Sequence, residues 1–145
     1  MPLHLIKLCV GCDSVRDLED WIRARLKERK KRGQPREHVH TTRMIPKRAA
    51  ELTDGGSLYW VIRGVVMCRE RIRDVRPFVD KEGVGRCRLV LEPKVTLVEP
   101  RPWRAFQGWR YLEAKDAPRD LERAAPGAKA MPEELRRELR QLGLL

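Results

Sequence analysis

The sequence predicts an α+β fold in which five to six short strands form a small, bent, mixed β-barrel with flanking helices. The main evidence is the longest apolar run of the chain, residues 57–72 (SLYWVIRGVVMCRERI), which is apolar on both faces at its start. This pattern is typical of a strand that is buried on both sides. Gly64 interrupts the run, and a glycine within a strand often marks a bulge or bend. A central strand that bends at Gly64 would let a small barrel close.

Before this run, the sequence predicts a strand and then a helix. Residues 3–10 alternate between two apolar faces and are predicted to form the first strand. A helix is predicted to start at Ser14, with Asp17 as its capping-box partner, and to end at Gly33 and Pro35. Its apolar stripe consists of Val15, Leu18, Trp21, Ile22 and Leu26.

Three further elements are predicted up to the central run. Residues 37–44 are rich in β-branched side chains, which favours a second strand. Pro46 is predicted as the first residue of a short helix, PKRAAEL. Residues 54–57 (DGGS) form a strong turn signal.

After the central run, strand continues over residues 69–78 and turns at residues 81–83. Residues 85–91 are predicted to pair back as a hairpin, and residues 95–100 to add a short strand. An aromatic segment, residues 106–112 (FQGWRYL), follows.

We predict a single barrel domain over residues 1–122. Residues 123–145 are predicted to be a C-terminal tail with a helix at about residues 132–142, because its leucines form one stripe.

Composition limits the functional classes. The net charge is +11, from 32 basic and 21 acidic residues, and such an excess attracts polyanions, most commonly nucleic acid. No stretch reaches the roughly 18–20 apolar residues of a membrane helix. The four cysteines are scattered, as is typical of reduced thiols, so we predict a cytoplasmic protein without a membrane partner.

The sharpest signal for a binding surface is a basic segment, Arg23–Arg48. It contains eleven Lys or Arg residues and only two acids, Glu28 and Glu37. Such a segment neutralises phosphates without reading sequence. A solvated helix face followed by a basic loop is the alternative interpretation.

The aromatic segment suggests a place for a base. Trp109 could stack on a splayed base while Gln107 and Arg110 hydrogen-bond to it. Alternatively Trp109 is a large core residue. We predict that Trp21 and Trp60 are core residues.

A metal site and a catalytic site are weaker possibilities. Cys9 and Cys12 together with His38 and His40 have donor types that suit zinc, but a single CxxC motif is weak evidence and Cys9 also fits a small core residue. No nucleophile elbow, Gly-rich phosphate loop or HExxH motif is present, so we expect no cofactor.

Three stretches resemble a family of short bacterial proteins known only as a domain of unknown function. They are LIKLCVGCDSVRDLEDW, HTTRMIPKRAAELTDGGSLYWVIRGVVMCRERI and FQGWRYL. The resemblance covers most of residues 3–121 and implies no particular activity.

More distantly, Lys47–Leu52, Asp54–Ser57 and Leu58–Met67 resemble the helix, turn and barrel strand of the PUA-like group, which includes the ASCH, EVE and YTH modules. This resemblance implies a barrel that binds RNA or a modified base. The ASCH branch includes an amidohydrolase with a Gly-x-Lys-x-x-Glu-x-Arg pattern. Arg63-Gly64 and Arg69–Arg71 match it only in part, because the lysine is absent.

These observations favour a non-catalytic nucleic-acid-binding module, with RNA or a modified base as the ligand. The predicted binding residues are Arg43, Lys47, Arg48, Arg63, Gln107, Trp109 and Arg110. One alternative is a small amidohydrolase-like enzyme acting on a nucleoside or nucleotide and using Lys47, Thr42 or Glu70. The other is a protein-interaction domain that docks an acidic partner on its basic face.

Overall fold

The computed structural model of the chain describes residues 2–104 and 106–121. The predicted helix at about residues 132–142, and the tail that contains it, lie outside this part. The elements in chain order are β1 (Leu3–Leu8), α1 (Val15–Lys31), β2 (His38–Thr42), α2 (Ala49–Thr53), β3 (Ser57–Ile62), β4 (Val65–Val79), β5 (Gly85–Leu91), β6 (Thr96–Pro102), β7 (Trp109–Glu113) and a 3-10 helix (Ala114–Asp116).

The described strands form one mixed sheet of seven strands. Six of them follow the order β2-β5-β4-β3-β1-β7, and β6 also pairs with β4. The β1–β3 pair is parallel, whereas the other pairs are antiparallel. The predicted α+β class with a mixed sheet is therefore confirmed. The strand path is open, since it ends at β2 and β7, and it has more strands than the five to six predicted.

The predicted single bent strand over residues 57–67 is wrong, because this stretch is a hairpin of β3 and β4. Arg63 and Gly64 connect the two strands with φ values of 50° and 79°. Two successive positive φ values are what a two-residue type I′ turn requires. The irregularity expected at Gly64 lies instead between Trp60 and Val61, where the β3–β4 register shifts.

Helix α1 starts as predicted and covers one face of the sheet. The Ser14 hydroxyl accepts a hydrogen bond from the Asp17 backbone N–H, which satisfies one of the free donors at the helix start. Val15, Leu18 and Ile22 are buried. The prediction for Trp21 is wrong: it is 38% exposed, and the Arg25 guanidinium lies 4.1 Å from its ring centroid.

Helix α2 is shorter than predicted. It begins at Ala49 rather than at Pro46, and Pro46 is a buried residue of the preceding loop. Leu52 is fully buried, and its carbonyl accepts a hydrogen bond of 2.9 Å from the Gly56 N–H. The bond holds the turn before β3 against the end of α2.

Both faces of the sheet carry an apolar core. We call the face that packs against α1 the inner face. Its buried residues include Leu3, Leu5, Leu58, Trp60 and Ile62. The opposite, outer face buries Ile6, Tyr59, Val61, Val66, Val98 and Leu112, with Trp103, Phe106 and Ala117 packed against them. The alternation predicted for the first and central runs is thus confirmed, as is Trp60 as a core residue.

Candidate functional site

Three of the predicted phosphate-binding residues lie on one loop, residues 43–48, which joins β2 to α2 and contacts β7. The Met44 carbonyl accepts a hydrogen bond of 2.8 Å from Trp109 Nε1. The Arg48 N–H donates to Tyr111 Oη at 3.2 Å. These two bonds hold Arg43, Lys47 and Arg48 beside the edge strand β7.

Arg63 belongs to the same end of the sheet. Leu8 pairs with Val61 in β3, and Lys7 pairs with Trp109 in β7. The Arg63-Gly64 turn therefore lies at the end of the sheet where β7 begins. A hydrogen bond of 2.8 Å from the Trp103 N–H to the Gly64 carbonyl ties the turn to the segment that precedes β7.

The predicted base-contact residues do not share one face. Successive side chains of a strand point to opposite faces, and Trp109 packs in the inner core. Arg110 is exposed, and its guanidinium lies 5.1 Å from the ring centroid of Phe106, which packs on the outer face. Gln107 is exposed in the loop before β7.

Trp109 offers little surface to a base in this arrangement. Only 8% of the residue is exposed, its Nε1 is bonded to the loop, and its ring packs edge-on against Tyr111. At Gly108, a Cβ atom would lie 2.6 Å from Met44 Cε, so the space that its missing side chain provides is taken by Met44. The geometry fits the core interpretation of Trp109, and base stacking stays a prediction.

Most acids near the basic segment Arg23–Arg48 are already paired. Glu28 pairs with Arg32, and Glu37 contacts both Arg29 and Arg76. The exposed cations of the segment that form no ion pair with any described residue are Lys27, Lys30, Lys31, Arg36, Arg43 and Lys47. These six side chains are available to an external anion.

The family model described as "Protein of unknown function (DUF1489)" matches residues 5–145. The chain belongs to this family. The resemblance seen in its motifs is thereby confirmed, and the description of the DUF1489 family assigns no activity. No curated protein and no solved structure matches the chain. Among the described parts of this DUF1489 chain, no helix is both long enough and apolar enough to cross a membrane.

This DUF1489 chain also contains a buried polar group that we call the Glu70 cluster: His38, His40, Trp60 and Glu70. Glu70 is fully buried. Its Oε2 lies 2.8 Å from His38 Nδ1, and its Oε1 accepts a hydrogen bond of 3.0 Å from Trp60 Nε1. The His40 ring packs edge-on against Trp60, with ring centroids 5.3 Å apart. Since a buried carboxylate without partners is costly, these contacts explain how Glu70 is tolerated in the core.

Two ring nitrogens of the Glu70 cluster have no partner. Nε2 of His38 and Nε2 of His40 are both buried and make no hydrogen bond within the described structure. Cys9 and Cys12, the other residues of the zinc hypothesis, are buried free thiols, and burial raises the pKa of Cys9. Within residues 2–104 and 106–121, no three His, Cys, Asp or Glu side chains are placed to hold a metal ion.

The residues proposed for catalysis differ in solvent exposure. Glu70 and Thr42 are buried, whereas Lys47 is exposed. Sequence reasoning considered Glu70 for catalysis and missed its structural role. It did not identify Lys7, whose ammonium is partly buried on the inner side. Burial, the main cause, lowers the pKa of Lys7, and Lys7 in turn helps to lower that of His40.

We expect His40 to make the fold less stable in acid. Burial, followed by the charges of Lys7, His38 and Arg25, lowers the pKa of His40 to about 4, whereas an unfolded histidine has a pKa of about 6.5. Between these values the unfolded chain binds a proton that the folded chain does not. The contribution of neutral His40 to stability is therefore complete above about pH 6.5 and is lost as the pH falls toward 4, by at most roughly 3 kcal/mol.

The measurement is urea unfolding at pH 7, 5.5 and 4.5 for the wild type and His40→Leu. The variant is expected to lose less stability between pH 7 and 4.5 than the wild type does. Equal losses for both proteins would show that His40 does not titrate with a lowered pKa. Only the pH dependence is compared, because removing the ring also changes packing against Trp60.

Proposed function

We propose that the protein binds nucleic acid, with RNA favoured, through the basic segment Arg23–Arg48. The observation that supports this proposal most strongly is the group of six exposed cations that lack an ion pair within the described residues. Lysine and arginine side chains without an internal carboxylate can neutralise phosphates and release their counterions. The surface is non-catalytic in this proposal.

The cations come from both ends of the segment. Lys30 and Lys31 follow Lys27 by three and four residues, so both neighbour it on the surface of α1. All three lysines are exposed, whereas Val15, Leu18 and Ile22 of the same helix are buried. Arg43 and Lys47 extend the charge onto the loop beside β7. Arg63 at the β3–β4 turn also forms no ion pair within the described structure, and it adds charge at the end of the sheet where β7 begins.

Arg48 contributes less than the other cations in this proposal. Its guanidinium makes hydrogen bonds of 2.5 and 2.8 Å to the two carboxylate oxygens of Glu51. A phosphate would have to compete with this carboxylate. The backbone N–H of Arg48 is also bonded to Tyr111, so we assign Arg48 mainly to holding the loop.

Two further proposals concern the finer fold and the compartment. The order of α2, a turn at Asp54–Ser57 and then a buried strand supports a relation to PUA-like barrels. The four described cysteines are free thiols, which supports a reducing, cytoplasmic location.

The test is RNA binding at several salt concentrations. Lys27→Gln, Lys30→Gln and Lys31→Gln are combined in one variant, and its control combines Arg16→Gln, Lys81→Gln and Arg104→Gln, three exposed cations outside the segment. We expect the affinity of the wild type for single-stranded RNA to fall with salt. Each lost phosphate contact should reduce the magnitude of the slope of log affinity against log salt by about 0.7. The slope of the Lys27/Lys30/Lys31 variant should therefore be smaller in magnitude by up to about 2, whereas the control should keep the wild-type slope.

An affinity that does not change with salt, or an equal loss in both variants, would refute binding through this segment. If an acidic polypeptide binds as tightly as RNA at the same charge density, the protein-docking alternative is favoured instead. Duplex DNA in the same series tests the preference for RNA.

A second candidate function rests on the Glu70 cluster. A carboxylate next to Nδ1 orients an imidazole and leaves Nε2 to act as a base or ligand; here Nε2 of His38 is buried and has no described partner. This arrangement favours the amidohydrolase-like alternative acting on a nucleoside. Hydrolysis of a modified nucleoside that is abolished in His38→Gln, with the fold retained, would support it.

A further inference from the structure

A polar cavity of about 360 Å³ is lined in part by Arg69. Arg69 pairs with Tyr59, a residue of the outer face, so the cavity lies on the outer face of the sheet, since directly paired side chains share a face. It lies where the chain leaves β5 and enters β6 alongside β4. Its walls are formed by Gly55, Arg69, Arg71, Glu92, Lys94 and Thr96.

The sheet itself positions the two arginines of this cavity. Arg69 and Arg71 are two residues apart on β4, so their side chains share a face. Arg69 pairs with Thr96 of β6, and Arg71 pairs with Ser57 of β3. The Glu92 N–H donates to the Arg71 carbonyl at 2.8 Å, which holds the β5–β6 connection against β4.

Arg69 is fixed further by its own side-chain contacts. Its Nε and Nη2 donate to the two carboxylate oxygens of Asp120, both at 2.8 Å, and its Nη1 donates to Ser57 Oγ at 2.9 Å. A guanidinium has five N–H donors, so these three bonds leave two for another acceptor. Arg69 is thus a rigid donor in the wall.

The charges around the cavity are not balanced. Three cations line it against one acid, and that acid, Glu92, already lies 3.5 Å from Arg73. Arg71 and Lys94 are exposed, and neither forms a side-chain hydrogen bond or ion pair with any residue that the structure describes. Arg69 has Asp120 as its counter-charge, so Arg71 and Lys94 are the two cations of the wall without one among the described residues. An anion would relieve the repulsion between such like charges.

We propose that this cavity binds a phosphate group. Because Arg69 is paired with Asp120 and Glu92 with Arg73, the charge left uncompensated at the cavity is the +2 of Arg71 and Lys94, which suits a doubly charged phosphate better than a single carboxylate. Planar guanidinium groups also match the spacing of phosphate oxygens. The phosphate can belong to a free nucleotide or to the end of an RNA strand. None of the lining residues belongs to the basic segment Arg23–Arg48. Phosphate binding at this cavity can therefore be tested separately from RNA binding by the segment.

The test uses inorganic pyrophosphate and the full chain. Its binding is measured by calorimetry, and its effect on the unfolding temperature is measured with ionic strength held constant by sodium chloride. A variant that combines Arg71→Gln and Lys94→Gln is compared with a control that combines Arg16→Gln and Lys81→Gln. All four residues are exposed, and both variants lose two charges.

We expect pyrophosphate to raise the unfolding temperature of the wild type and of the control. In the Arg71/Lys94 variant the affinity should fall at least tenfold, and the rise in unfolding temperature should disappear. Equal binding by both variants, or no binding by the wild type beyond that of chloride, would overturn the proposal. The Lys27/Lys30/Lys31 variant should keep the pyrophosphate effect even if it loses RNA binding.

The source of the phosphate is distinguished with three further probes. A nucleoside monophosphate that binds as tightly as a 5′-phosphorylated oligoribonucleotide assigns the site to free nucleotides. A preference for the 5′-phosphorylated strand over both the monophosphate and the 5′-hydroxyl strand assigns it to RNA ends. If the Arg71/Lys94 variant binds all of these probes as the wild type does, the cavity is not a phosphate site.

Discussion

Replacing Gly56 with alanine is expected to cost at least about 4 kcal/mol of folding free energy, enough to unfold a typical domain of this size in part. A Cβ atom at this position would lie 2.2 Å from the Leu3 carbonyl oxygen and 2.4 Å from the Leu52 carbonyl oxygen. Both are backbone atoms of packed elements, β1 and α2, so neither can move aside cheaply. The measurement is the free energy of unfolding in urea, together with the yield of soluble protein.

Gly64→Ala is the matched control. Gly64 has a φ of 79°, but no atom outside its chain neighbours lies within 4 Å of a Cβ placed there. Alanine at Gly64 should therefore cost only the strain of the left-handed backbone, about 1–2 kcal/mol. Similar losses for Gly56→Ala and Gly64→Ala would contradict the close backbone contact at the turn before β3.

Replacing Glu70 with alanine is expected to destabilise the fold by about 3–5 kcal/mol. The change leaves Trp60 Nε1 without its acceptor and separates His38 Nδ1 from its carboxylate. Both groups are buried, and leaving a buried hydrogen-bonding group without its partner costs free energy of desolvation. Urea unfolding followed by tryptophan fluorescence measures the loss.

Two variants make the Glu70 experiment specific. Glu70→Gln keeps an acceptor oxygen and nearly the same volume, so it should lose clearly less stability than Glu70→Ala. Glu82→Gln removes an exposed carboxylate and should change stability by less than about 0.5 kcal/mol. A Glu70→Ala protein within about 1 kcal/mol of the wild type would show that the Glu70 cluster does not contribute to stability as its contacts indicate.

The sequence predicted the faces of the strands better than their connections. Alternation of apolar residues correctly separated the two faces of β1 and β3, because side-chain direction in a strand depends only on position. The β3–β4 turn was missed, since Arg63-Gly64 lacks the Asn-Gly or Asp-Gly signal of a type I′ turn and is flanked by apolar residues on both sides. The strand order depends on pairing between distant segments, which local patterns do not encode.

The charge of the candidate interface could be predicted from sequence, but its arrangement could not. Counting cations identified the basic segment correctly as a region with few acids. Whether a particular cation forms an ion pair within the protein depends on its contacts in the folded structure. Arg48, for example, is paired with Glu51, whereas Lys47 forms no ion pair with a described residue. The opposite orientations of Trp109 and Arg110 follow directly once residues 109–113 are known to be a strand.

The position of β1 in the sheet has a consequence for how the chain reaches its native state. β1 pairs on one side with β3 and on the other with β7, so that Leu3 meets Glu113, more than a hundred positions later. As the polypeptide is synthesised, one hydrogen-bonding edge of this apolar strand stays open until β3 is made, and the edge that pairs with β7 stays open until nearly all of the described fold has been made. An unpaired edge of β1 in the nascent chain can therefore pair with a strand of another molecule for most of translation. Pairing of β7 with β1 removes this possibility.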